Sequence, residues 1–389
     1  MGDRSDRFSG VSTHAERLRS RGGLKWTFYE EDVLPAWVAE MDFGPAPAVT
    51  RALHEAVDKG LTGYPYPEAE DALAAAAAEF WADSLDWKVE PSWVFPAPDV
   101  IAGIGRAIEH LTRPRSPVVL HTPVYFPFFS MVEQAGRDII EVRCQPDDEG
   151  RYTLNLAGID RALDDGAGSV VLCNPWNPTG RCLTESELTE LLEVAERHDA
   201  RVISDEIHAP ITYSGVRHVP LSTLDAERTV TVTAASKAWD LPGLKCAQVV
   251  LTNGSDRETW ERDFAPHQVG VGTFGLLAGT AAYSDGVTWF EQTLRTLESN
   301  RDLLGSLVRE HLPGAVFSPP EATYLAWLDM SGYGVADPAE FLLERARVAL
   351  TGGGPFGTGA SQHVRLNFAT DPTILTTIVE RMGRALAEI

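Results

Sequence analysis

The chain has 389 residues, of which 44% are hydrophobic, so it is long enough for two domains and for a large core. Its 33 basic and 56 acidic residues give a formal net charge of -23 at pH 7. Because such an acidic surface repels phosphate backbones and anionic lipid headgroups, neither nucleic acid nor a membrane surface is expected as a partner.

The cysteine pattern and the N-terminus predict a cytoplasmic protein without a membrane span. Four cysteines lie far apart with no Cys-x-x-Cys pair, which favours neither a disulfide framework nor a zinc site. The first ten residues, MGDRSDRFSG, lack the apolar core of a signal peptide. The most apolar long stretch, Val269 to Tyr283, is shorter than the ~20 residues that cross a bilayer and is rich in glycine.

The first 48 residues are predicted to be a docked segment without helical periodicity. They contain LPAWVAEMDF, whose large apolar side chains indicate packing against another part of the chain. A helix from Pro47 to Lys59, the loop LTGYPYPE and an alanine-rich helix from Glu68 to Asp83 follow, since alanine favours helix. Tyr64 and Tyr66 therefore lie on a rigid, proline-rich loop.

From residue 93 to residue 285, short β-branched runs alternate with helical stretches. This alternation predicts an α/β domain, in which helices cover a mostly parallel sheet. The predicted strands are Ser116–His121, Asp138–Arg143, Ser169–Cys173, Arg201–Asp205 and Thr229–Thr233, with helices such as Glu185–His198 between them.

The C-terminal part predicts a smaller α+β domain, joined to the first by a long helix from Val287 to His311. We therefore predict three parts: a segment over 1–48 that packs with the small domain, a large domain over 49–285, and a small domain over 286–389. The predicted elements of the small domain are strands near Ala315, at Tyr324–Leu328 and at His363–Phe368, and helices near Pro338–Val348 and Pro372–Ile389.

Three polar residues follow or end predicted strands, at the edge where α/β sheets bind their ligands. Asn177 lies in the loop NPWNPTG, whose prolines and glycine would hold its amide rigidly toward a ligand, although a plain turn before a helix has the same pattern. Asp205 ends its strand, where a buried acid needs a cation such as a protonated pyridine nitrogen; a cap of the next loop is the alternative.

Lys237 follows the strand Thr229–Thr233, with a second cation, Lys245, close behind it in SKAWDLPGLK. Partial burial and a neighbouring positive charge lower the pKa of a lysine and leave a neutral fraction that can form a Schiff base. A solvated loop lysine is the alternative.

Together, NPWNPTG, SDEIH and SKAWDLPGLK resemble the motifs of the fold-type I pyridoxal phosphate (PLP) enzymes of the aminotransferase class I and II superfamily. The resemblance covers nearly the whole chain. It implies a fold-type I PLP-dependent transferase fold, with a mostly parallel, seven-stranded sheet between helices on both faces and a smaller α+β domain. The large domain would bind the cofactor, pyridoxal 5'-phosphate.

The resemblance also implies which residues would contact the cofactor ring. Lys237 would form the Schiff base, Asp205 would pair with the pyridine nitrogen, and Asn177 would hydrogen-bond the phenolic oxygen. Tyr125 would stack on the ring face, although a lone aromatic is otherwise a core residue.

The phosphate would rest at the start of the helix opened by Asp99 and Val100, where free N–H groups and the helix dipole favour an anion. Ser236 and Lys245 would add a hydroxyl group and a positive charge. Tyr64 resembles the tyrosine that reaches the phosphate of the neighbouring subunit, which presupposes a homodimer.

Two further residues are predicted to bind the substrate. Arg365 lies on an otherwise apolar strand, where a guanidinium group would bind the α-carboxylate in bidentate fashion; an ordinary surface arginine is the alternative. Trp37 is expected to contact the substrate from the docked N-terminal segment.

The substitution at position 208 and two N-terminal motifs resemble the carbon–sulfur β-lyase branch of the superfamily, the MalY/PatB group. His208 stands three positions after Asp205, where most aminotransferases carry tyrosine, and LKW and LPAWVAEMDF match that branch. His208 would lie beside the cofactor or be a structural histidine bonded to its loop. Trp176, in a position that more often holds a polar residue, would reshape the pocket near the cofactor.

The implied reaction is β-elimination from L-cystathionine or another S-substituted L-cysteine. Lys237 would take the α-proton, a thiolate would leave from Cβ, and pyruvate and ammonia would follow; cystathionine would release homocysteine. An aminotransferase, which needs a 2-oxo acid as second substrate, is the first alternative. A regulatory protein on the same fold, acting through a protein partner, is the second.

Overall fold

The computed structural model describes residues 14–264 and 270–389 of the chain. The predictions that concern residues 1–13 and Val269 lie outside these residues. Within them, no helix is both long enough and apolar enough to cross a membrane.

Helices α1 to α13 occupy, in order, residues 14–20, Leu24–Thr27, Pro47–Asp58, Pro67–Leu85, Val100–Leu111, Pro127–Gln134, Leu156–Asp164, Glu185–Arg197, Gly254–Phe264, Thr273–Asp285, Val287–His311, Pro338–Ala346 and Pro372–Leu386. Strands β1 to β13 occupy Leu34–Pro35, Val94–Ala97, Val118–Thr122, Ile139–Arg143, Ser169–Cys173, Arg201–Asp205, Thr229–Thr233, Ala247–Val250, Val316–Phe317, Leu325–Asp329, Val348–Ala349, Thr351–Gly352 and His363–Asn367.

A seven-stranded sheet with the order β2-β8-β7-β6-β5-β3-β4 forms the larger part of the fold. Its neighbours pair in parallel from β7 to β4, while β8 runs antiparallel to both β2 and β7. Every residue of β3, β5 and β7 is buried, so both faces of these strands are covered, as a mostly parallel sheet requires. The predicted seven-stranded, mostly parallel sheet is therefore present.

The C-terminal part contains a four-stranded antiparallel sheet with the order β12-β13-β10-β9. The long helix α11 has the predicted bounds, Val287–His311. The predicted helix near Pro338–Val348 is shorter than expected, because Arg347 adopts a left-handed conformation (φ 53°) that ends α12 at Ala346. Val348 then begins β11 instead.

The N-terminal segment is partly helical, contrary to the prediction, since residues 14–20 form α1 and Leu24–Thr27 form α2. Its strand β1 pairs in parallel with β11, with Leu34 opposite Val348. Asn367 donates hydrogen bonds to the carbonyls of Val38 (2.7 Å) and Glu40 (2.6 Å). The described part of the segment therefore contacts the C-terminal region, whereas the division at residues 48 and 285 stays a prediction.

Candidate active site

The register of the large sheet brings the ends of three neighbouring strands together. Cys173 of β5 lies opposite Asp205 of β6, and Asp205 lies opposite Val232 of β7. The loops that follow these parallel strands therefore leave the sheet at the same edge, which is where such sheets bind ligands. Asn177, Asp205 and Lys237 all lie at this edge.

The amine of Lys237 is held against the N-terminal segment. Its Nζ donates a hydrogen bond to the Ala39 carbonyl oxygen at 2.9 Å. Burial lowers the pKa of Lys237 to about 8, with a smaller lowering from the positive charge of Arg365; the carboxylates of Asp240, Glu40 and Asp205 oppose the shift. A substantial fraction of the amine is therefore neutral at mildly alkaline pH.

The Asp205 carboxyl group is buried at the end of β6. Its Oδ1 accepts a hydrogen bond from the Ile207 N–H at 3.0 Å. Burial raises the pKa of Asp205 to about 7, and the negative charge of Glu206 raises it further, while Ile207 and Lys237 oppose the shift. An anion in this position needs a nearby cation to stay ionised.

Asn177 and Arg365 are in direct contact. Arg365, on β13, donates from Nη1 to Asn177 Oδ1 at 3.0 Å and from Nη2 to the Trp37 carbonyl at 3.1 Å. Its Nε has no hydrogen-bond partner in the part of the chain that the structure describes. Burial lowers the pKa of Arg365 to about 10, so the guanidinium stays charged at neutral pH.

Trp37 lies beside Arg365 through its main chain. Its carbonyl also accepts from Thr351 Oγ1, at 2.6 Å, and its indole N–H donates to the Lys25 carbonyl at 3.3 Å. The indole ring packs with Phe28 and Tyr29, at centroid distances of 5.0 and 5.8 Å. The main-chain carbonyl of Trp37, and not its indole nitrogen, therefore lies next to the guanidinium group of Arg365. That Trp37 binds the substrate stays a prediction.

Tyr125 and His208 both lie near Arg365. Burial raises the pKa of Tyr125, and Arg365 and Asp205 are both close enough to affect it. His208 is fully buried, with its ring 6.0 Å from that of Tyr324. Burial lowers the pKa of His208 to about 3, with smaller contributions from Lys237 and Arg365, so its imidazole is neutral.

The Nδ1 atom of His208 has no hydrogen-bond partner among residues 14–264 and 270–389. The alternative of a structural histidine bonded to its loop through this atom therefore has no support in the structure. A buried polar atom without a partner at a ligand site needs an explanation, and a bound ligand is one.

The start of α5 and the second lysine lie together. The Asp99 side chain caps α5 by accepting from the Ala102 N–H at 2.8 Å, and Lys245 Nζ lies 2.8 Å from Asp99 Oδ2. Val100 opens the helix, whose first N–H groups have no acceptor within it. Ser236, next to Lys237, is half-buried. These groups supply donors and a positive charge for an anion.

Tyr64 does not join this cluster within one chain. Its side chain is 93% exposed, on the loop between α3 and α4. The predicted contact with a phosphate therefore needs a second subunit.

Trp176 is a core residue, and its effect on the shape of the pocket stays a prediction. It is 0% exposed, and its indole N–H donates to the Pro123 carbonyl at 2.6 Å. Its ring also meets that of His121 at 4.5 Å. Trp176 therefore links the loop of Asn177 to the loop of Tyr125 from behind the site.

Three groups at Lys237 were not predicted from the sequence: the Ala39 carbonyl, the Tyr324 hydroxyl and the Asp240 carboxyl. Tyr324 donates to the same carbonyl as Lys237, at 3.0 Å, and Asp240 Oδ1 accepts from the Met41 N–H at 3.0 Å. Asp240, three residues after Lys237, could have been noticed in SKAWD. A main-chain carbonyl carries no sequence signal.

Comparison with known proteins gives a consistent result. The family described as "Aminotransferase class I and II" matches residues 37–382. The chain is 37% identical to a cystathionine beta-lyase of Corynebacterium glutamicum, over 95% of this chain and 98% of that protein. It is 32% identical to the cystathionine beta-lyase PatB of Bacillus subtilis, over 96% and 98%.

The fold is also that of a solved structure, cystalysin from Treponema denticola, whose crystal contains a pyridoxal 5'-phosphate cofactor. The TM-score is 0.88 with 25% sequence identity, over 95% of this chain and 96% of that chain.

Proposed function

The chain belongs to the aminotransferase class I and II family, and from this premise we propose that it is a PLP-dependent carbon–sulfur β-lyase with the fold-type I architecture of that family. It cleaves L-cystathionine or other S-substituted L-cysteines to pyruvate, ammonia and a thiol. The thiol from cystathionine is homocysteine. The names of the Corynebacterium and Bacillus relatives support this substrate class. The observation that carries the proposal is that Asn177, Asp205 and Lys237 lie at one edge of the large sheet, with the Lys237 amine held 2.9 Å from the Ala39 carbonyl oxygen.

The residues of the site fit the cofactor. Asp205 presents a buried carboxyl group that a pyridinium nitrogen would keep ionised, and His208 has an unpaired buried nitrogen. Because Asn177 Oδ1 accepts from Arg365, the Nδ2 group of Asn177 is the donor that remains for the phenolic oxygen. The Tyr125 ring would cover the cofactor ring. Its phosphate would bind at the start of α5, at Asp99 and Val100, with Ser236 and Lys245.

Bound PLP supplies an electron-withdrawing ring that stabilises negative charge on the substrate α-carbon. The chain's own residues do the rest. Arg365 binds the α-carboxylate through its guanidinium group, with its free Nε as a further donor. This contact orients the Cα–H bond toward Lys237, and the neutral amine of Lys237 takes the α-proton. The thiolate then leaves from Cβ.

We also propose that the protein is a homodimer that binds a small-molecule amino acid. Tyr64 supports a dimer, because an exposed tyrosine on a loop with two prolines is suited to reach a second subunit. A cytoplasmic location fits the chemistry of the four cysteines, which are all free thiols.

One assay tests the reaction. The holoenzyme is given L-cystathionine and no 2-oxo acid, and pyruvate, ammonia and free thiol are measured over time. We expect many turnovers, since elimination regenerates the free enzyme without a second substrate. If the sulfur substrate gives no pyruvate while alanine is consumed only with a 2-oxo acid present, the protein is an aminotransferase and the lyase proposal is wrong.

A further inference from the structure

One carbonyl oxygen near the centre of the site accepts two hydrogen bonds from side chains. Lys237 Nζ donates to the Ala39 oxygen at 2.9 Å, and the Tyr324 hydroxyl donates to the same oxygen at 3.0 Å. Ala39 and Tyr324 are both buried. The position of this oxygen therefore fixes where the free amine of Lys237 lies.

The main chain on both sides of Ala39 is held in place. Asn367 donates to the carbonyls of Val38 and Glu40, at 2.7 and 2.6 Å. On the next residue, the Met41 N–H donates to Asp240 Oδ1 at 3.0 Å. Because the flanking groups are bonded to β13 and to the turn of Lys237, the Ala39 carbonyl has little freedom to turn away.

Asp240 has two connections to Lys237. It anchors the segment through Met41, and its negative charge raises the pKa of the lysine amine, against the effect of burial. Asp240 itself has a left-handed backbone (φ 56°), which directs the chain sharply at this point. The Asp240 side chain therefore both holds the N-terminal segment and places a negative charge near Lys237.

We propose that the Ala39 carbonyl receives the ammonium group of Lys237 after proton abstraction, and that Tyr324 and Asp240 are positioning residues for this step. The neutral amine of Lys237 accepts the α-proton, while the electron pair of the Cα–H bond stays with the substrate carbon. The resulting ammonium donates one N–H to Ala39 and keeps two for the reacting atoms. The inference rests on the proposed function only in taking Lys237 as the proton acceptor.

The physical reason is the cost of an unpaired buried cation. A buried ammonium group without an acceptor is strongly disfavoured, whereas one that has a fixed carbonyl and a nearby carboxylate is tolerated. Besides Tyr324, the titratable and charged groups that face Lys237 are Asp240 in its own turn, Glu40 in the N-terminal segment, Asp205 on β6, the neutral His208 after β6 and Arg365 on β13. Of these carboxylates, Asp240 has the largest effect on Lys237.

The first test measures the amine of Lys237 in the cofactor-free protein. Its reaction with an amine-selective acylating reagent is followed against pH, and peptide mass spectrometry reports the modification of this lysine. Asp240→Asn removes the charge but keeps an oxygen that can accept from Met41, so the midpoint should shift to lower pH by about one unit. Asp160→Asn, at an exposed ion pair with Arg197, is the matched control. An unchanged midpoint in Asp240→Asn would overturn the role of Asp240.

The second test measures proton transfer in the holoenzyme. Exchange of the α-hydrogen of L-alanine for deuterium is followed by NMR, because alanine has no β-leaving group and the exchange occurs in a lyase or an aminotransferase alike. Tyr324→Phe should slow this exchange about 10-fold, while the L-alanine concentration that half-saturates the exchange stays nearly unchanged, since only the carbonyl that orients the proton acceptor loses its support.

Tyr333→Phe is the matched control, because the Tyr333 hydroxyl also has a main-chain partner, the Gly314 N–H, but lies in another part of the fold. Two outcomes would overturn the proposal. In one, Tyr324→Phe exchanges the α-hydrogen as fast as the wild type; in the other, Tyr333→Phe slows the exchange as much as Tyr324→Phe does. Failure of the lyase assay would leave both tests valid.

Discussion

At the scale of single residues, burial brings the pKa values of Asp205 and Lys237 closer together. It raises the pKa of Asp205 to about 7 and lowers that of Lys237 to about 8. His208, also buried, stays neutral because its pKa falls to about 3. In the cofactor-free site, Asp205 and Lys237 therefore both change protonation close to neutral pH.

The covalent assignment of Lys237 gives a direct prediction. Borohydride reduction of the wild-type holoprotein should fix the cofactor to a single peptide that contains Lys237, and Lys237→Ala should retain no reducible cofactor. Mass spectrometry of the digested protein checks this. Cofactor found on Lys245 would contradict the assignment, and Lys245→Ala is the matched control because it keeps Lys237 intact.

Asp205, unlike the buried His208, stabilises the cofactor-free protein less at pH 8 than at pH 5. Its pKa in the folded state, about 7, exceeds its ordinary value of 3.8, so the stabilisation is complete below pH 4 and is lost as the pH rises through 7. Asp205→Asn removes this titration. At pH 8 we expect the cofactor-free variant to be more stable than the cofactor-free wild type by about 2–4 kcal/mol.

Urea unfolding at pH 5 and pH 8 checks this effect. The same variant should bind PLP more weakly, because it lacks the charge that pairs with the pyridine nitrogen. Equal stabilities of the two cofactor-free proteins at pH 8, with equal pH dependence, would show that Asp205 is not the group that titrates.

The residues that the sequence identified share one property. Asp205 ends β6, and Asn177 and Lys237 follow β5 and β7, so the local pattern that predicted each strand also marked the residue at or after its end. The acceptor for Lys237 could not be found in this way. It is a main-chain oxygen 198 residues away, and only the folded chain brings it to the amine.

At the scale of elements, five strands of the large sheet were predicted from short β-branched runs, whereas β2 and β8 were not. The predicted first and last residues of β5, β6 and β7 are those of the structure. The missed strand β2 contains Pro96, which normally argues against a strand, and it is tolerated because β2 lies at the edge of the sheet. The missed strand β1 has two residues and exists only through its pairing with β11.

The N-terminal segment depends on a buried ion pair for its attachment. Lys25 Nζ lies 3.0 Å from Asp42 Oδ2, with both side chains buried, and the Trp26 indole donates to Asp42 Oδ1 at 2.7 Å. Asp42→Ala leaves the Lys25 charge unpaired, so we expect a loss of about 3–5 kcal/mol in the free energy of unfolding. Denaturant unfolding measures the loss.

A control for that prediction removes both charges. Lys25→Met with Asp42→Leu leaves no buried charge and should recover most of the lost stability. If the double variant is as unstable as Asp42→Ala, the ion pair is not the cause. Because the segment carries Ala39, the activity of Asp42→Ala should also fall.

At the scale of the whole molecule, a mostly parallel sheet and an antiparallel sheet lie in different parts of the sequence, and the N-terminal segment contacts both. It bonds to the turn after β7 through Asp240 and to β13 through Asn367. The alternation of strands and helices predicted the larger sheet. It could not predict that a segment near the start of the chain completes the site, because such contacts follow from packing and not from periodicity.

The proposed homodimer predicts that Tyr64 acts across the interface. Light scattering should give twice the chain mass of 42.4 kDa. Tyr64→Phe should weaken PLP binding about 10-fold, through loss of one hydrogen bond to a charged phosphate, without changing the mass. Tyr66→Phe, on the same loop, is the matched control. A fully active species at the mass of one chain would refute this arrangement.

The attachment of the N-terminal segment also has a consequence for how the protein is made. The Trp37 carbonyl meets Thr351 across 314 residues of chain, and Val38 meets Asn367 across 329. The segment leaves the ribosome early, whereas its partners Thr351 and Asn367 are translated only near the end of the chain. During that interval its tryptophans and leucines are not yet packed, and the main chain around Ala39, the acceptor for Lys237, is not yet held by Asn367. Catalytic competence is thus one of the last properties that the newly made protein gains.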